Sequence, residues 1–391
     1  MSQRARLTAL VGVLAALVVV AVIVAVAARP AAVRAAPSSE VEVSAGTDDC
    51  GHGWADDGRA LGGTISFDVS NTTIAGVEVY LQAVDTTKVY LDLESIGAGA
   101  HAHARVALGS GRYRFVCLPA DADPANGPTV RVGPAPPGTA LTPGMVPVTR
   151  ADLIPPAKAY GAWVGSRLPA LRQQVVAVAA DAEEGDLPAA KRDWLTARTT
   201  YETLGAAYGA FGAAGEAIDG LPGHGLTGFH AVESPLFSGA AAADVVGPAQ
   251  QLIADVDTLL AQFPKAQIDP GDVGLRAHEI VEDAIRDVLA GAADAGSGTE
   301  LATIDANLSG AAQALAPLHD LLASRYPELA ATQQSIASTQ QLVEGFRAAD
   351  GTWTRLAALT TAQREHVDAA LSETAELLAP VAAICDPRRT P

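Results

Sequence analysis

The sequence is poor in aromatic residues and in cysteines. Aromatic side chains make up 5% of the 391 residues, and the three cysteines are Cys50, Cys117 and Cys385. Apolar residues reach 49%, and many of them are alanine, valine or leucine. This composition is typical of alanine-rich helix bundles rather than of aromatic-rich β proteins. No CxxC pair occurs, which excludes a zinc ribbon and a thioredoxin-type redox motif.

The common hydrolase motifs are also absent. His278-Glu279 is followed by Ile280, Val281 and Glu282, so the HExxH pattern of zinc peptidases is incomplete. No G-x-S-x-G elbow occurs either. A peptidase or other hydrolase therefore has no support from a motif in this sequence.

Acidic residues dominate the charge. The formal net charge is −18 at pH 7, from 44 acidic and 26 basic residues. An acidic surface repels nucleic acid and anionic lipid headgroups and attracts cations. Solubility alone would explain the same excess. We expect no nucleic-acid partner.

An apolar segment at residues 7–28 precedes the acidic part of the chain. It has no charged residue, and Arg4 and Arg6 stand just before it. Such a segment is long enough to span a membrane, and the basic flank predicts that the rest is exported. Residues 1–28 are therefore a signal-anchor or a cleaved signal peptide, and we favour the anchor. Residues 29–49 are predicted to form a flexible tether.

Residues 50–117 show short alternating apolar and polar stretches at intervals of about ten residues, which predict a small antiparallel β-sandwich. Residues 118–149 are rich in proline and glycine and are predicted to be a linker. From residue 150 to 385 the period changes to that of helices. We predict helices at 155–184, 187–212, 227–238, 247–263, 272–291, 300–325, 328–348 and 360–383, which together would form an all-α bundle.

The pair His230 and Glu233 stands inside the glycine-bounded segment GLTGFHAVESPLFSG, residues 225–239. On a helix, a spacing of three places both side chains on one face. An imidazole and a carboxylate held in this way form half of a site for a divalent metal. The alternative is a packed histidine beside a surface glutamate.

Several segments resemble the imelysin-like (bacterial peptidase-like) family in their order along the chain. These segments are DWLTARTTYETLGAAYGAFGAAGEAIDG, GLTGFHAVE, GLRAHEIVEDAIRD and TIDANLSGAAQALAPLHDLLASRYPEL. Within that family the chain is similar to the EfeO-type iron-uptake proteins, in which a cupredoxin-like domain precedes the helical domain. It departs from the family at Gly298-Thr299-Glu300, near a position where many members carry a histidine.

The resemblance, together with the ligand arrangement common in helix bundles, implies a metal site with His230, Glu233, Glu202 and Glu279 as ligands. Iron (Fe²⁺ or Fe³⁺) is the expected metal, and zinc or another divalent ion is the alternative. His278 lies one residue from Glu279, about 100° around the helix, and is therefore expected to pack beside the site or support it.

In the β region, a blue-copper centre is not expected because residues 50–117 lack methionine. Cys50 and Cys117 lie at the two ends of that region, and we favour a disulfide between them. The resemblance implies a second candidate site, with Cys50, Cys117, Glu78 and Glu94 binding copper or iron. His101 and His103, two residues apart, would face one side of a strand, as ligands or as a solvated pair.

The resemblance, together with the predicted export and the acidic charge, therefore favours an extracytoplasmic iron-binding component of a ferrous-iron uptake system. The resemblance implies two partners, a membrane iron permease and a haem-containing peroxidase-like protein. The alternatives are an imelysin-type metallopeptidase and a non-catalytic surface module that binds another protein.

Overall fold

The computed structural model describes residues 40–220 and 225–389. They fall into two compact units that meet in sequence between Gly144 and Met145. The first unit is built of β-strands and the second of helices, which confirms the predicted fold class. Within the described residues, no helix is both long enough and apolar enough to cross a membrane. The predicted signal or anchor segment at 1–28 lies outside the described residues.

The β unit contains two sheets. The strands are β1 (Val41–Ala45), β2 (Arg59–Ala60), β3 (Gly63–Asn71), β4 (Val77–Ala83), β5 (Val89–Ile96), β6 (His101–Leu108), β7 (Gly111–Pro119), β8 (Ala125–Asn126) and β9 (Val130–Val132). One sheet has the order β1-β3-β6, and the other has the order β2-β9-β7-β4-β5, with β8 on β7. Most pairs are antiparallel, but β1 pairs with β3 and β2 with β9 in parallel.

This unit is longer than residues 50–117. Strand β1 lies within the stretch assigned above to a tether, and β8 and β9 lie within the predicted linker. Val43, Val130 and Val132 are buried in the core of the unit. Strands of two or three residues give too little alternation to be recognised among prolines and glycines.

The core of the β unit is formed by an aromatic cluster and a disulfide. The rings of Trp54, Phe67 and Phe115 contact one another edge to face, with centroids 5.2–5.6 Å apart. Cys50 and Cys117 form a disulfide across 67 positions of the sequence. Both cysteines are buried with this cluster. The cross-link therefore joins the loop after β1 to β7 at the centre of the unit.

The helical unit contains α1 (Arg150–Glu184), α2 (Leu187–Glu202), α3 (Tyr208–Asp219), α4 (Gly228–Ser238), α5 (Ala242–Gln262), α6 (Asp272–Asp283), α7 (Glu300–Leu315), α8 (His319–Ala323), α9 (Leu329–Glu344) and α10 (Thr361–Cys385). The helices begin and end at residues whose side chains or backbone conformation cap a helix. Thr149 caps α1 in a capping box, and Gly185 ends that helix in the left-handed conformation. Asp186 then caps α2.

A π-helical turn, Ala284–Val288, continues α6. The carbonyl of Asp287 accepts hydrogen bonds from the amides of Ala292 and Ala293 beyond it. This widened turn leads the chain into the loop before α7. Alanine and leucine dominate the core around these helices, as close helix packing requires.

We predict that the disulfide stabilises the β unit strongly. Replacing Cys50 and Cys117 together by alanine should lower the free energy of unfolding of this unit by about 4 kcal/mol, because the open chain regains the entropy of a long loop. Urea unfolding of the full chain, followed by circular dichroism, measures the change. Cys385→Ala is the control, because Cys385 is buried but unpaired in the helical unit. Equal stability of the double variant and the wild type would contradict the prediction.

Candidate metal centre

Helix α4 carries the predicted metal-binding pair and begins against the end of α3. Gly228, its first residue, has a φ of 51°. A Cβ at this position would lie 1.8 Å from the carbonyl oxygen of Ile218. A side chain is therefore excluded both by the backbone conformation and by the space. Glycine at this position lets the two helix ends approach closely.

His230 and Glu233 face the interior from one side of α4. Their side chains are 1% and 2% exposed. His230 Nε2 lies 3.9 Å from Glu233 Oε2. Metal–ligand bonds of about 2.0–2.2 Å place two donor atoms of one ion roughly 3 to 4 Å apart. This pair therefore has the separation needed to share one ion.

Both ring nitrogens of His230 face backbone carbonyl oxygens. Nδ1 lies within hydrogen-bond distance of the Asp219 carbonyl, and Nε2 lies 3.0 Å from the Ala293 carbonyl. Burial lowers the pKa of His230, and the positive charge of Arg198 lowers it further. A neutral imidazole carries one N–H and donates to only one of the two carbonyls. A cation beside the other nitrogen would bind its lone pair and the facing oxygens together.

The carboxyl group of Glu233 is held by the loop before α7. Its Oε1 accepts hydrogen bonds from the amides of Ala295 and Ser297, at 3.1 and 3.0 Å. Burial raises the pKa of Glu233 to about 7, and the neighbouring carboxylate of Asp294 adds to the effect. Glu233 therefore retains its proton up to about neutral pH, and the carboxylate of Asp294 accepts a hydrogen bond from it.

Asp294 is the charged member of this carboxyl pair. Burial opposes its charge, but hydrogen bonds from the Ser297 hydroxyl and from Glu233 lower its pKa overall. Its Oδ1 accepts from the Ser297 hydroxyl at 2.7 Å and from the Gly298 amide at 2.8 Å. Two carboxyl groups in contact need a shared cation, which is a proton here and would be a metal ion in a loaded site.

A small cavity lies between this loop and the helices. The volume of the cavity is about 10 Å³, so it has room for about one water molecule or one ion. The carboxyl groups of Glu233, Asp294 and Glu300 line it. Glu300 Oε2 is buried there without a hydrogen bond. Burial and the charge of Asp294 raise the pKa of Glu300.

Glu202 lies in the neighbouring charge cluster and pairs with arginine. The guanidinium of Arg198 contacts the carboxylates of Glu202 and, at 2.7 Å, Asp219. Asn307 donates to Glu202 Oε2 at 2.8 Å. Glu202 therefore neutralises a buried arginine beside the cavity, and its predicted role as a ligand would require breaking that pair.

Glu279 contacts a residue that is not one of the other predicted ligands. It is half-buried on α6 and pairs with Arg276 at 3.0 Å, one turn away. Within the described residues, the lining of the cavity does not include it. His278, beside it, lies within hydrogen-bond distance of the Ala375 carbonyl on α10, at 3.0 Å. The structure thus brings His230 and Glu233 together, adds Asp294 and Glu300, and places Glu279 elsewhere.

Asp294 and Glu300 were missed by the sequence analysis because they approach the cavity from a distant part of the sequence, Asp294 from the loop before α7 and Glu300 from the first residue of α7. The one signal was the family position at Gly298-Thr299-Glu300, which proves to line the same cavity. Spacing along a single helix cannot reveal a carboxylate supplied by another segment.

The four residues of the second candidate site do not converge in the β unit. Cys50 and Cys117 form the buried disulfide, and a disulfide sulfur is not the thiolate that binds metals. Glu78 accepts a hydrogen bond from the Tyr80 hydroxyl at 2.5 Å. It alternates with Val79, which pairs with Cys117 in the core, so Glu78 points to the opposite face of the sheet. Glu94 is exposed.

In the part of the chain that the structure describes, one group brings three metal-type donor atoms within 4.8 Å of one another. It consists of Glu40, Asp68 and His103, on the surface of the β unit. None of the predicted ligand residues belongs to it, although His103 was considered beside His101.

We predict that Gly228→Ala destabilises the helical unit by more than about 2 kcal/mol, because it adds backbone strain and a clash with Ile218. Gly239→Ala is the matched control at the other end of α4. Gly239 also has a positive φ, of 83°, but a Cβ there meets nothing within 4 Å. Urea unfolding should place the control within about 1–2 kcal/mol of the wild type. Equal losses in both variants would show that the close approach is unimportant.

We also predict that Glu233 makes the stability of the helical unit depend on pH. The folded protein keeps the proton of Glu233 up to about pH 7, whereas the unfolded chain loses it near 4.5. This contribution is full below the lower value and is lost as the pH rises through the higher one, a change of about 3 kcal/mol. Glu233→Gln, which cannot titrate, should lack this change.

Urea unfolding of both proteins from pH 4.5 to pH 8 tests this. The difference in unfolding free energy between the wild type and Glu233→Gln should move in favour of the variant as the pH rises. A difference independent of pH would mean that Glu233 titrates normally in the folded protein.

A comparison with known proteins identifies the helical unit. One protein family, described as imelysin (peptidase M75), matches residues 156–381. The match covers more than half of the chain, includes His230, Glu233, Asp294 and Glu300, and coincides with the helical unit. No curated protein matches the chain. On the extent of this match, the chain belongs to the imelysin family.

Proposed function

We propose that this protein is an extracytoplasmic iron-binding component of a ferrous-iron uptake system. The observation that carries the proposal is the buried position of His230 Nε2, 3.9 Å from Glu233 Oε2 and 3.0 Å from the Ala293 carbonyl oxygen, in an imelysin-family domain. Iron would be bound there as cargo and passed to a membrane permease. Zinc or another divalent ion is the alternative cargo.

The chemistry of the donors suits such a cargo. One imidazole nitrogen and several carboxylate oxygens form a mixed set that binds iron or zinc in preference to a soft ion such as Cu⁺. Three carboxyl groups line the cavity, and the nearby charge of Arg198 is already balanced by Glu202 and Asp219. A divalent ion would therefore enter a site with an excess of negative charge.

Release of the ion also has a physical basis. Glu233 holds a proton near neutral pH, so a proton and a metal ion compete for the same carboxyl group. A site that exchanges its ion for a proton suits a carrier that must give up its cargo. The acidic surface of the protein favours capture of cations in the first place.

The size of the cavity supports binding over peptide hydrolysis. A peptidase must admit a peptide carbonyl and a water molecule beside its metal and its general base. The cavity at Glu233 has room for about one water or ion. The sequence also lacks the HExxH pattern. These two observations favour an ion carrier although the family is described as a peptidase family.

The remaining parts of this proposal follow from the resemblance described above. Residues 1–28 would direct export or anchor the protein in the cytoplasmic membrane, and the helical unit would act in the cell envelope. The expected partners are a membrane iron permease and a haem-containing peroxidase-like protein. A copper or iron site in the β unit at Cys50, Cys117, Glu78 and Glu94 would require both reduction of the disulfide and a change in the direction of Glu78, which points to the opposite face of the sheet.

Anaerobic calorimetric titration of the purified full chain with Fe²⁺, and separately with Zn²⁺, tests the proposal. Glu233→Gln should bind about tenfold to a hundredfold more weakly, because it loses a charged oxygen ligand. Glutamine keeps the shape and can accept the same backbone hydrogen bonds, so the fold should persist. His230→Ala should also bind weakly, with circular dichroism to check its fold.

His366→Ala is the control, because it removes an exposed imidazole from α10 of the same unit. It should bind iron as the wild type does. Undiminished affinity of a folded Glu233→Gln variant would refute the proposed site, and with it this account of the transport role.

A further inference from the structure

The outer face of the sheet β1-β3-β6 gathers polar side chains in a row. Asp68 on β3 pairs in register with Glu42 on β1 and with His103 on β6. Phe67 and Val69, on either side of Asp68, point into the core of the β unit. Because side chains alternate along a strand, Asp68 points outward. The sheet thus fixes acidic and imidazole groups side by side on a rigid surface.

Three donor atoms on this face converge. His103 Nδ1 lies 3.0 Å from Glu40 Oε2 and 3.9 Å from Asp68 Oδ1. The three atoms lie within 4.8 Å of one another. His101, two residues before His103 on the same strand, places its Nδ1 3.0 Å from Asp68 Oδ1.

These separations match those around one metal ion. Bonds of about 2.0–2.2 Å place two ligand atoms roughly 3 Å apart at a right angle and about 4 Å apart on opposite sides. The two distances from His103 Nδ1, 3.0 and 3.9 Å, fall at these limits. A single ion could therefore bind all three groups with small side-chain rotations and without movement of the strands.

A single proton on His103 Nδ1 cannot satisfy both of its carboxylate contacts. Nδ1 of His103 carries at most one N–H, which can be directed to Glu40 or to Asp68 but not well to both. Asp68 has a second imidazole contact, with His101 Nδ1 at 3.0 Å, but both carboxylates remain beside His103 Nδ1 and repel each other. An ion with two positive charges in place of the proton would bind both carboxylates and the nitrogen at once.

We propose that Glu40, Asp68 and His103 form a surface site for a divalent first-row transition ion. One imidazole with two carboxylates suits Zn²⁺ and Cu²⁺, and the general order of stability places Cu²⁺ above Zn²⁺. The His103 and Glu40 side chains are 63% and 41% exposed, so water completes the coordination. His101 is a positioning residue, which holds Asp68 as hydrogen-bond partners of metal-bound carboxylates do.

This site is separate from the one proposed in the helical unit and does not depend on it. It differs also from the site implied by Cys50, Cys117, Glu78 and Glu94, because it uses neither sulfur nor the second sheet. It would give the β unit a metal-binding role while the disulfide remains intact.

The competing explanation is an ordinary ion pair between a protonated imidazole and a carboxylate. The chain supplies a matched example of such a pair. His319 Nδ1 lies 3.2 Å from Asp320 Oδ1, and the His319 side chain is 54% exposed. It does not belong to a group of three converging donors within the described residues. His319→Ala therefore removes an exposed histidine–aspartate pair without removing the proposed site.

The test is equilibrium dialysis of the chelator-stripped full chain against micromolar free Zn²⁺, with bound zinc measured by elemental analysis. His103→Ala and Asp68→Asn should each bind one zinc ion fewer per chain than the wild type, and His319→Ala should bind the same number as the wild type. His101→Ala should keep the ion but bind it about tenfold to a hundredfold more weakly.

The result does not depend on whether the helical site binds zinc, because the test compares the number of zinc ions bound per chain between variants that share that site. A Glu233→Gln variant should still lose one further zinc ion when His103→Ala is added. If His103→Ala binds as much zinc as His319→Ala does, the proposal is wrong and the cluster is an ion pair. Circular dichroism of His103→Ala and Asp68→Asn should be unchanged, since both side chains lie on the surface.

Discussion

The helical unit depends on bringing the end of α3 against the start of α4, which only a glycine at 228 allows. The Asp219 carbonyl then lies beside His230, and the Asp219 carboxylate reaches Arg198. The carbonyl and the carboxylate of Asp219 thus both lie at the end of α3. A larger residue at the contact would separate the two helix termini and, with them, the imidazole from its backbone partner. The backbone conformation of one residue therefore controls the geometry of the whole buried polar cluster.

Buried charge is tolerated in this bundle because each group has a specific compensation. Arg198 is neutralised by two carboxylates, and Glu233 keeps its proton beside Asp294. In the interior of a protein, an uncompensated charge would cost several kcal/mol. The two compensations differ in kind. The arginine compensates its charge by ion pairing, whereas the carboxyl pair avoids a second negative charge because Glu233 keeps its proton.

Much of the fold follows from the sequence, because helix periodicity and capping are local. The 3.6-residue pattern, Gly185-Asp186 and the break before Gly228 place most helix boundaries within a few residues. The pairing of His230 with Glu233 follows from spacing on one helix. Asp294 and Glu300 could not be found in this way, since they lie in and just after a loop that is about sixty residues away from Glu233 in the sequence. Strands β8 and β9 were missed for a related reason, because two or three residues carry too little pattern of their own, whereas β1 does alternate but follows directly on a polar stretch with prolines.

The widened turn at Ala284–Val288 has a consequence for recognising this site in other chains. It adds a residue to the turn, and the next segment starts from a direction that a regular helix would not give. Deleting one residue there would restore a regular helical turn and change where the chain enters the loop that carries the Ala293 carbonyl and Asp294. The length of this stretch, more than the identity of its side chains, should therefore distinguish chains in which Asp294 reaches Glu233 from chains that keep only the helix bundle.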